Sequence, residues 1–196
     1  MAKPLDDAAL ATLFTEARSY NDWAPEPISE AQIQAIYEAA KFGPTAANGN
    51  PARYVWAVSD AAKQRLIPHL SEQNRAKSLK ASAIVIIGYD LDFPEHMERL
   101  FPHAPTAKHW FNDPVEREAG ALRNSSLQGA YLMLAARALG WDLGPMSGFD
   151  NAAVDADFFA GTRIKSNFIT AIGRGTTNAL FDRLPRFGFA EINTVL

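Results

Sequence analysis

An unbroken apolar run, AIVIIGY at residues 83–89, sets the strongest limit on the architecture of this chain. A strand that faces water on one side alternates apolar with polar residues, whereas a continuous β-branched run is typical of a strand covered on both faces. We therefore expect this segment at the centre of a sheet, with other parts of the chain packed on either side. The run is far shorter than the ~20 apolar residues that a membrane-spanning helix needs.

The rest of the sequence shows helical and extended patterns in turn. Apolar spacing and N-capping signals predict helices over 6–20, from Ser29 to Gly43, and over 60–70, 72–81, 116–139 and 150–159. Strands are predicted at 54–58 and 166–172, and a strand followed by a loop is predicted over 141–148. The proline- and aromatic-rich segment 91–115 is expected to be irregular. Strands separated by helices indicate an α+β or an α/β fold, and the spacing does not distinguish the two.

Composition excludes several classes of protein. The 196 residues fit one domain spanning 1–196, and 19 basic against 22 acidic side chains argue against a dedicated nucleic-acid-binding protein. The absence of cysteine excludes disulfides, zinc ribbons, iron–sulfur clusters and thiol nucleophiles. The N-terminal MAKPLDDAAL lacks the apolar core of a signal peptide. We therefore expect a cytoplasmic protein that binds neither nucleic acid nor membrane.

Conventional catalytic and metal-binding patterns are weak in this sequence. Gly173-x-Gly175 lacks the third glycine of a dinucleotide fingerprint, and too few residues follow it for the rest of a βαβ unit. Ser147 precedes a glycine, but no histidine follows it, as the chain order of α/β-hydrolases requires. The three histidines of segment 91–115 have spacings that match neither a helix nor a strand, so we expect them at the surface. We predict no catalytic side chain and no metal site.

Four polar or small-residue segments carry the remaining chemistry. In chain order they are Arg18-Ser19, Asn48-Gly49-Asn50, GPMSG at 144–148, and Arg183 with Arg186. Each has a structural explanation when taken alone: an arginine near a helix C-terminus favours the helix dipole, and Asn-Gly is a turn signal. Together they offer cations, a hydroxyl and amides, which are the groups that bind a phosphorylated ring compound.

The ordered set resembles the flavin-dependent nitroreductase family. The resemblance rests on the early RSYNDW, on GPTAANGNP at 43–51, on GPMSGFD at 144–150 and on the late LPR, and it extends from about residue 10 to the end. Within the family, the chain is similar to the short subgroup that contains the malonic semialdehyde reductase of pyrimidine catabolism. The resemblance implies an α+β fold with a central mixed sheet flanked by helices, in a homodimer with FMN at the subunit interface.

The resemblance also implies a role for individual residues. Arg18, Ser19 and Asn21 would hold the FMN phosphate and the nearby edge of the flavin, and Arg186 would meet the phosphate. Asn48 and Asn50 would face the pyrimidine ring. Pro145, Met146, Ser147 and Gly148 would run along the other side, with a backbone N–H directed at flavin N5.

The chain departs from the common family pattern at four places. Ala17 stands where many members carry a second basic residue, Asn50 replaces a glutamine, and Ser147 stands where other members carry an acid. Arg53 lies where a tryptophan is frequent, and its guanidinium would suit the carboxylate of a small acid-aldehyde.

The implied activity is a ping-pong transfer of hydride from NADH or NADPH through FMN to a small acceptor. Malonic semialdehyde (3-oxopropanoate) is the expected acceptor. The alternatives are a general nitroreductase or quinone reductase, a flavin-binding protein without turnover, and a flavin-free interaction domain.

Overall fold

The computed structural model describes residues 3–196 of the chain. Its strands are β1 (Trp23–Ala24), β2 (Ala52–Ala57), β3 (Ala83–Asp90), β4 (Asp142–Met146) and β5 (Ile164–Gly175). Its α-helices are α1 (Asp7–Leu10), α2 (Glu30–Ala40), α3 (Asp60–Leu66), α4 (Glu72–Lys80), α5 (Met97–Leu100), α6 (Pro114–Ala138), α7 (Asn151–Phe158) and α8 (Phe189–Ile192). A π-helical turn over Ala11–Thr15 follows α1 directly.

The sheet is built around β3, as the apolar run predicts. β3 pairs with β2 on one edge and with β5 on the other, and β5 also pairs with β4 and β1. All eight residues of β3 are buried. The expectation of a mixed sheet needs correction, because all four strand pairs are antiparallel and the parallel component is one isolated bridge between Ser19 and Leu143.

Alternate side chains of β3 enter two different apolar cores. Ile84 and Ile86 pack in a cluster with Leu66 of α3 and Val154 of α7. The intervening Val85 and Ile87 face the other side, where α2 and α6 supply the cover. Burying a side chain of this size stabilises the fold by roughly 1.5–3 kcal/mol. The two-sided cover therefore explains why β3 carries no polar face.

Local capping signals position the two helices that cover one face. Ser29 Oγ accepts from the Gln32 amide, and the Gln32 side chain accepts from the Ser29 amide, which confirms the predicted capping box. α6 begins slightly earlier than the predicted residue 116, because Asp113 caps it and Pro114 occupies its first turn.

The last predicted strand is also longer than 166–172, since β5 continues to form a pair with β1.

The prediction of one continuous helix over 6–20 is wrong. The helix widens into the π-helical turn, where the Glu16 amide donates to the Ala11 carbonyl, and then ends. The chain leaves the helix because the Tyr20 amide donates to the Leu143 carbonyl, at 2.9 Å, beside β4. This long-range pairing therefore places Arg18 and Ser19 outside the helix, although the sequence pattern predicts them within it.

The segment 91–115 contains more structure than expected. Short helical turns at Phe93–His96 and Pro105–Phe111 flank α5. Phe93, Met97 and Ala107 are buried in a third apolar cluster against β3 and α6. The aromatics thus pack part of this segment onto the body of the protein, while Trp110 stays 60% exposed.

The C-terminal tail shows little packing against its own chain. Beyond the turn at Thr177–Ala179 it forms no strand, and α8 buries none of its residues. Its large apolar side chains are exposed: Phe181, Leu184, Phe187, Phe189, Ile192, Val195 and Leu196. This tail, residues 180–196, is called the C-terminal arm below. Across residues 3–196, every helix is too short or too polar to cross a membrane.

Candidate functional site

Four arginines surround one cavity of about 510 Å³, here called the arginine cavity. Its lining includes Arg18, Arg137, Arg183 and Arg186 together with Ser19, Asn21 and the acidic Asp182. The structure therefore brings together four residues that the sequence analysis assigned to one end of a flavin, namely Arg18, Ser19, Asn21 and Arg186. Arg137, which lies in α6, was not predicted.

Among residues 3–196, these arginines form no ion pair with a carboxylate. Arg18 donates to the Phe181 carbonyl, and Arg183 donates to the Ala17 carbonyl at 3.3 Å. Arg186 donates to two carbonyls of its own segment, those of Leu184 and Pro185, both at 3.0 Å. Backbone carbonyls orient guanidinium groups without neutralising them. The cavity is therefore suited to an anion, and arginine forks with a serine hydroxyl are the donor set that a phosphate ester prefers.

Asp22 anchors the chain at the entrance to the arm. Its carboxylate accepts from Lys80 at 2.8 Å, from Thr176 at 2.7 Å and from Asn178 at 3.1 Å. These bonds, led by that from Lys80, hold the pKa of Asp22 well below its usual range. The carboxylate fixes residues 176–178, and with them the start of the segment that carries Arg183 and Arg186.

Helix α4 adds two residues that the sequence analysis missed. Lys77 donates to the Asn21 side chain at 2.9 Å, and burial lowers the pKa of Lys77. Asn74 is buried and donates to the Gly148 carbonyl at 3.0 Å. The two residues are three apart and so lie on one face of the helix. No sequence motif in this polar helix identifies Lys77 and Asn74 as candidate site residues, because their role depends on the segments against which α4 packs.

The segment 145–148 leaves β4 beside α4. Pro145 and Ser147 are exposed, whereas Met146 is buried in the apolar core with its sulfur 3.7 Å from the Ser78 hydroxyl. The Gly148 carbonyl accepts from both Ser71 and Asn74. The exposed Pro145 and Ser147 therefore flank the buried Met146. Because the side chain of Met146 lies in the core, any contact of Met146 with a ligand would come from its backbone.

The predicted pyrimidine contacts lie in a different and larger cavity of about 1000 Å³, here called the asparagine cavity. Asn48 and Asn50 line it with Arg53 and Gln128. Asn48 donates to the Leu100 carbonyl at 2.8 Å, and the Asn50 oxygen accepts from Gln128 at 3.1 Å. This lining shares no residue with that of the arginine cavity. Within one chain, the structure does not bring the asparagines together with Arg18, Ser19, Asn21 and Arg186.

Within four residues, the asparagine loop contains three non-glycine residues with positive φ angles. Ala47, Asn48 and Asn50 have φ angles of 49°, 51° and 44°, in the left-handed region. Asparagine tolerates this region better than most residues, but alanine does not. Such backbone persists when its surroundings fix it, and here the Ala46 amide donates to the buried Asn124 side chain at 2.8 Å. The loop is thus held in a defined shape at the cavity wall.

Arg53 is already engaged on the wall of the asparagine cavity. Its guanidinium lies 2.5 Å from the Asp90 carboxylate and also donates to the Asn50 and Ala52 carbonyls. Arg99 lines the same cavity and forms no hydrogen bond or ion pair with any residue from 3 to 196. Lys41, the third such cation of this lining, pairs with Glu38. Arg99 is therefore the cation of this cavity without an ion pair among residues 3–196, whereas the sequence predicts Arg53 as the substrate contact.

The histidines of the segment 91–115 lie at the surface, as expected. His96, His103 and His109 are all exposed. No cluster of three or more potential metal-ligating side chains occurs in the described part of the chain.

Comparison with known proteins agrees with the fold. Residues 15–173 match the nitroreductase family. A Caulobacter vibrioides protein with the provisional name NADH dehydrogenase/NAD(P)H nitroreductase is 62% identical over 196 residues, the full length of both chains. The chain therefore belongs to the nitroreductase family.

Two solved structures share the fold at lower sequence identity. A nitroreductase from Exiguobacterium sibiricum in complex with FMN superposes with a TM-score of 0.86 at 20% identity, over the whole of both chains. An NAD(P)H:FMN oxidoreductase from Staphylococcus epidermidis has a TM-score of 0.81 at 20% identity, covering 100% of this chain and 98% of its own.

Proposed function

We propose that this protein is an FMN-dependent NAD(P)H oxidoreductase. The observation that carries the proposal is the arginine cavity, in which four guanidinium groups lack a carboxylate partner among residues 3–196. The FMN complex of the Exiguobacterium protein and the NAD(P)H names of other relatives support this choice. When bound, FMN supplies hydride transfer from NADH or NADPH to an acceptor, so the protein needs no catalytic acid, thiol or metal.

The residues of the chain would bind and orient the cofactor. Arg18, Arg186 and Ser19 would hold the phosphate through charge-assisted hydrogen bonds. Lys77, bound to Asn21, would place a cation where negative charge develops on reduction of the flavin. The backbone of 145–148 would line the opposite side of the ring.

We further propose that the protein is a homodimer and that each FMN site uses both copies. The asparagine cavity and the arginine cavity are separate within one chain, so a flavin that contacts both sets needs residues from two chains. The C-terminal arm supports this arrangement, because its exposed apolar side chains have no cover in their own chain. The cytoplasmic location and the single domain spanning 1–196 stay predictions from the sequence.

Freshly purified protein should be yellow and should carry about one FMN per chain. Extraction of the flavin and its chromatographic identification, together with the absorption spectrum, test this expectation. NADH or NADPH should bleach the visible band, and an added acceptor should restore it. Extraction of FAD, or failure to retain or rebind any flavin, would overturn the proposal. Binding of FMN without bleaching would indicate a flavin-binding protein without turnover.

For the acceptor, we propose a small acid-aldehyde, with 3-oxopropanoate reduced to 3-hydroxypropanoate. A carboxylate needs a cation beside the flavin, and orientation of this kind contributes several kcal/mol to lowering a barrier. The asparagine cavity offers Lys41, Arg53 and Arg99, of which Lys41 is paired with Glu38 and Arg53 with Asp90. We therefore assign the carboxylate contact to Arg99, with Arg53 as the alternative.

Steady-state kinetics of three proteins test this assignment. Arg99→Gln should lower kcat/KM for 3-oxopropanoate by about tenfold or more, since a charged hydrogen bond contributes about 1.5–3 kcal/mol, while a neutral nitroaromatic should be reduced as before. Arg53→Gln serves as the matched comparison. A selective loss in Arg53→Gln alone would transfer the role to Arg53. A clear preference of the wild-type enzyme for nitrofurazone-type compounds or quinones would overturn the aldehyde assignment and leave the flavin enzyme intact.

A further inference from the structure

Arg137 is a partly buried cation that the fold directs toward the arginine cavity. It lies in the last turn of α6, and its guanidinium donates to the Leu13 carbonyl of the π-helical turn at 3.3 Å. Burial lowers the pKa of Arg137, which means that its surroundings solvate the charge poorly. It forms no ion pair with any residue in the range 3–196.

The acids near Arg137 are engaged elsewhere or lie beyond ion-pair distance. Asp142 and Glu16 share a smaller neighbouring cavity with it, but neither forms a salt bridge with Arg137. The Asp142 carboxylate accepts from the Gly175 amide at 2.9 Å. Asp182 lines the arginine cavity against four arginines, so one carboxylate faces four cations. Because the positive charges outnumber the carboxylates in this cavity, a bound anion would stabilise the partly buried Arg137 guanidinium.

Arg137 and Ala17 line the same two cavities. Ala17 lines the arginine cavity next to Arg18 and contributes no charge. Here the π-helical turn brings the chain at Leu13 against α6, and the charge enters the cavity from the helix.

We propose that Arg137 binds the phosphate of FMN together with Arg18 and Arg186. The inference rests on the proposed function, because it assumes that FMN phosphate occupies the arginine cavity. It assigns a binding residue to α6, an element that no sequence motif connects with the phosphate. The contact is to the phosphate and not to the ring, so it distinguishes FMN from riboflavin, which has the same ring without the phosphate.

Titration of the apoprotein with FMN and with riboflavin tests the assignment. In Arg137→Met, which keeps the aliphatic length, the Kd for FMN should rise about ten- to a hundred-fold while the Kd for riboflavin stays within about twofold. Arg137→Lys should restore part of the FMN affinity. Arg163→Met is the matched control, because Arg163 is an exposed arginine on a different part of the surface, paired with Asp92.

The outcomes separate this inference from the proposed function. Equal loss of FMN and riboflavin binding in both Arg137 variants would show a structural role and overturn the assignment. Unchanged FMN affinity in Arg137→Met would overturn it as well. If the wild-type protein binds neither flavin, the proposed function itself fails. If the wild type prefers FMN and Arg137→Met keeps the same preference, only the assignment of Arg137 fails.

Discussion

Replacing Arg18 or Arg186 with alanine should weaken FMN binding by about ten- to a hundred-fold for each change. A hydrogen bond to a charged group contributes roughly 1.5–3 kcal/mol, and both guanidinium groups line the arginine cavity without a carboxylate partner. Fluorescence titration of the apoprotein measures the change. The double variant should lose the cofactor during purification and should therefore be colourless.

A control titration distinguishes the loss of a phosphate contact from a structural change in the C-terminal arm. Arg18 also donates to the Phe181 carbonyl, so its loss could loosen the start of the C-terminal arm. Riboflavin titration detects that effect, because a loosened arm weakens both flavins whereas a missing phosphate contact weakens FMN alone. Arg163→Ala should bind FMN as the wild type does. Unchanged FMN affinity in both single variants would remove Arg18 and Arg186 from the site.

Substituting serine for Phe187, Phe189 and Ile192 together should convert a dimer into a monomer. In one chain Phe187, Phe189 and Ile192 are 74%, 70% and 67% exposed, so the substitutions remove little packing from the chain that carries them. A permanent interface often exceeds ~2,000 Å² and is apolar at its centre, and the exposed apolar side chains of the arm suit such a centre. Light scattering at micromolar concentration should give the dimer mass for the wild type and half that mass for the triple variant.

The triple variant keeps Arg183 and Arg186, so it tests assembly without removing the cations. It should lose FMN as well, since the asparagines of the second copy would no longer reach the flavin. Trp110→Ser is the matched control, because Trp110 is 60% exposed and lies outside the arm. A flavin-loaded wild-type monomer, or a triple variant that remains a dimer, would contradict both the arm contact and the shared site.

The elements that could be predicted are those whose signal is local. The Ser29 capping box depends on residues three positions apart, and the structure contains it as predicted. The two-sided burial of β3 follows from an unbroken apolar run, which no solvated strand tolerates. The polar segments at 18–21, 48–50 and 145–148 stay predictions of binding segments, based on short runs of residue types that suit a phosphate or a ring.

Elements that depend on long-range contacts were predicted less well. The helix over 6–20 has a regular apolar period, yet Tyr20 pairs with Leu143, more than a hundred positions away, and the helix ends early. Lys77 and Asn74 carry no motif, and their importance arises from contacts with Asn21 and Gly148. Pairings of this kind depend on how distant segments fold together, which local periodicity does not encode.

The sequence by itself determined the class of fold, the central strand, the helix caps and the residue types available for a phosphate and a flavin ring. Tertiary structure alone decided how they combine: Arg137 joins Arg18 and Arg186 in one cavity, while Asn48 and Asn50 line another. The physical reason is the sequence separation between the residues that interact. Burial periodicity and capping act within a few residues, whereas a binding site collects side chains from segments that only the packed sheet and helices bring together.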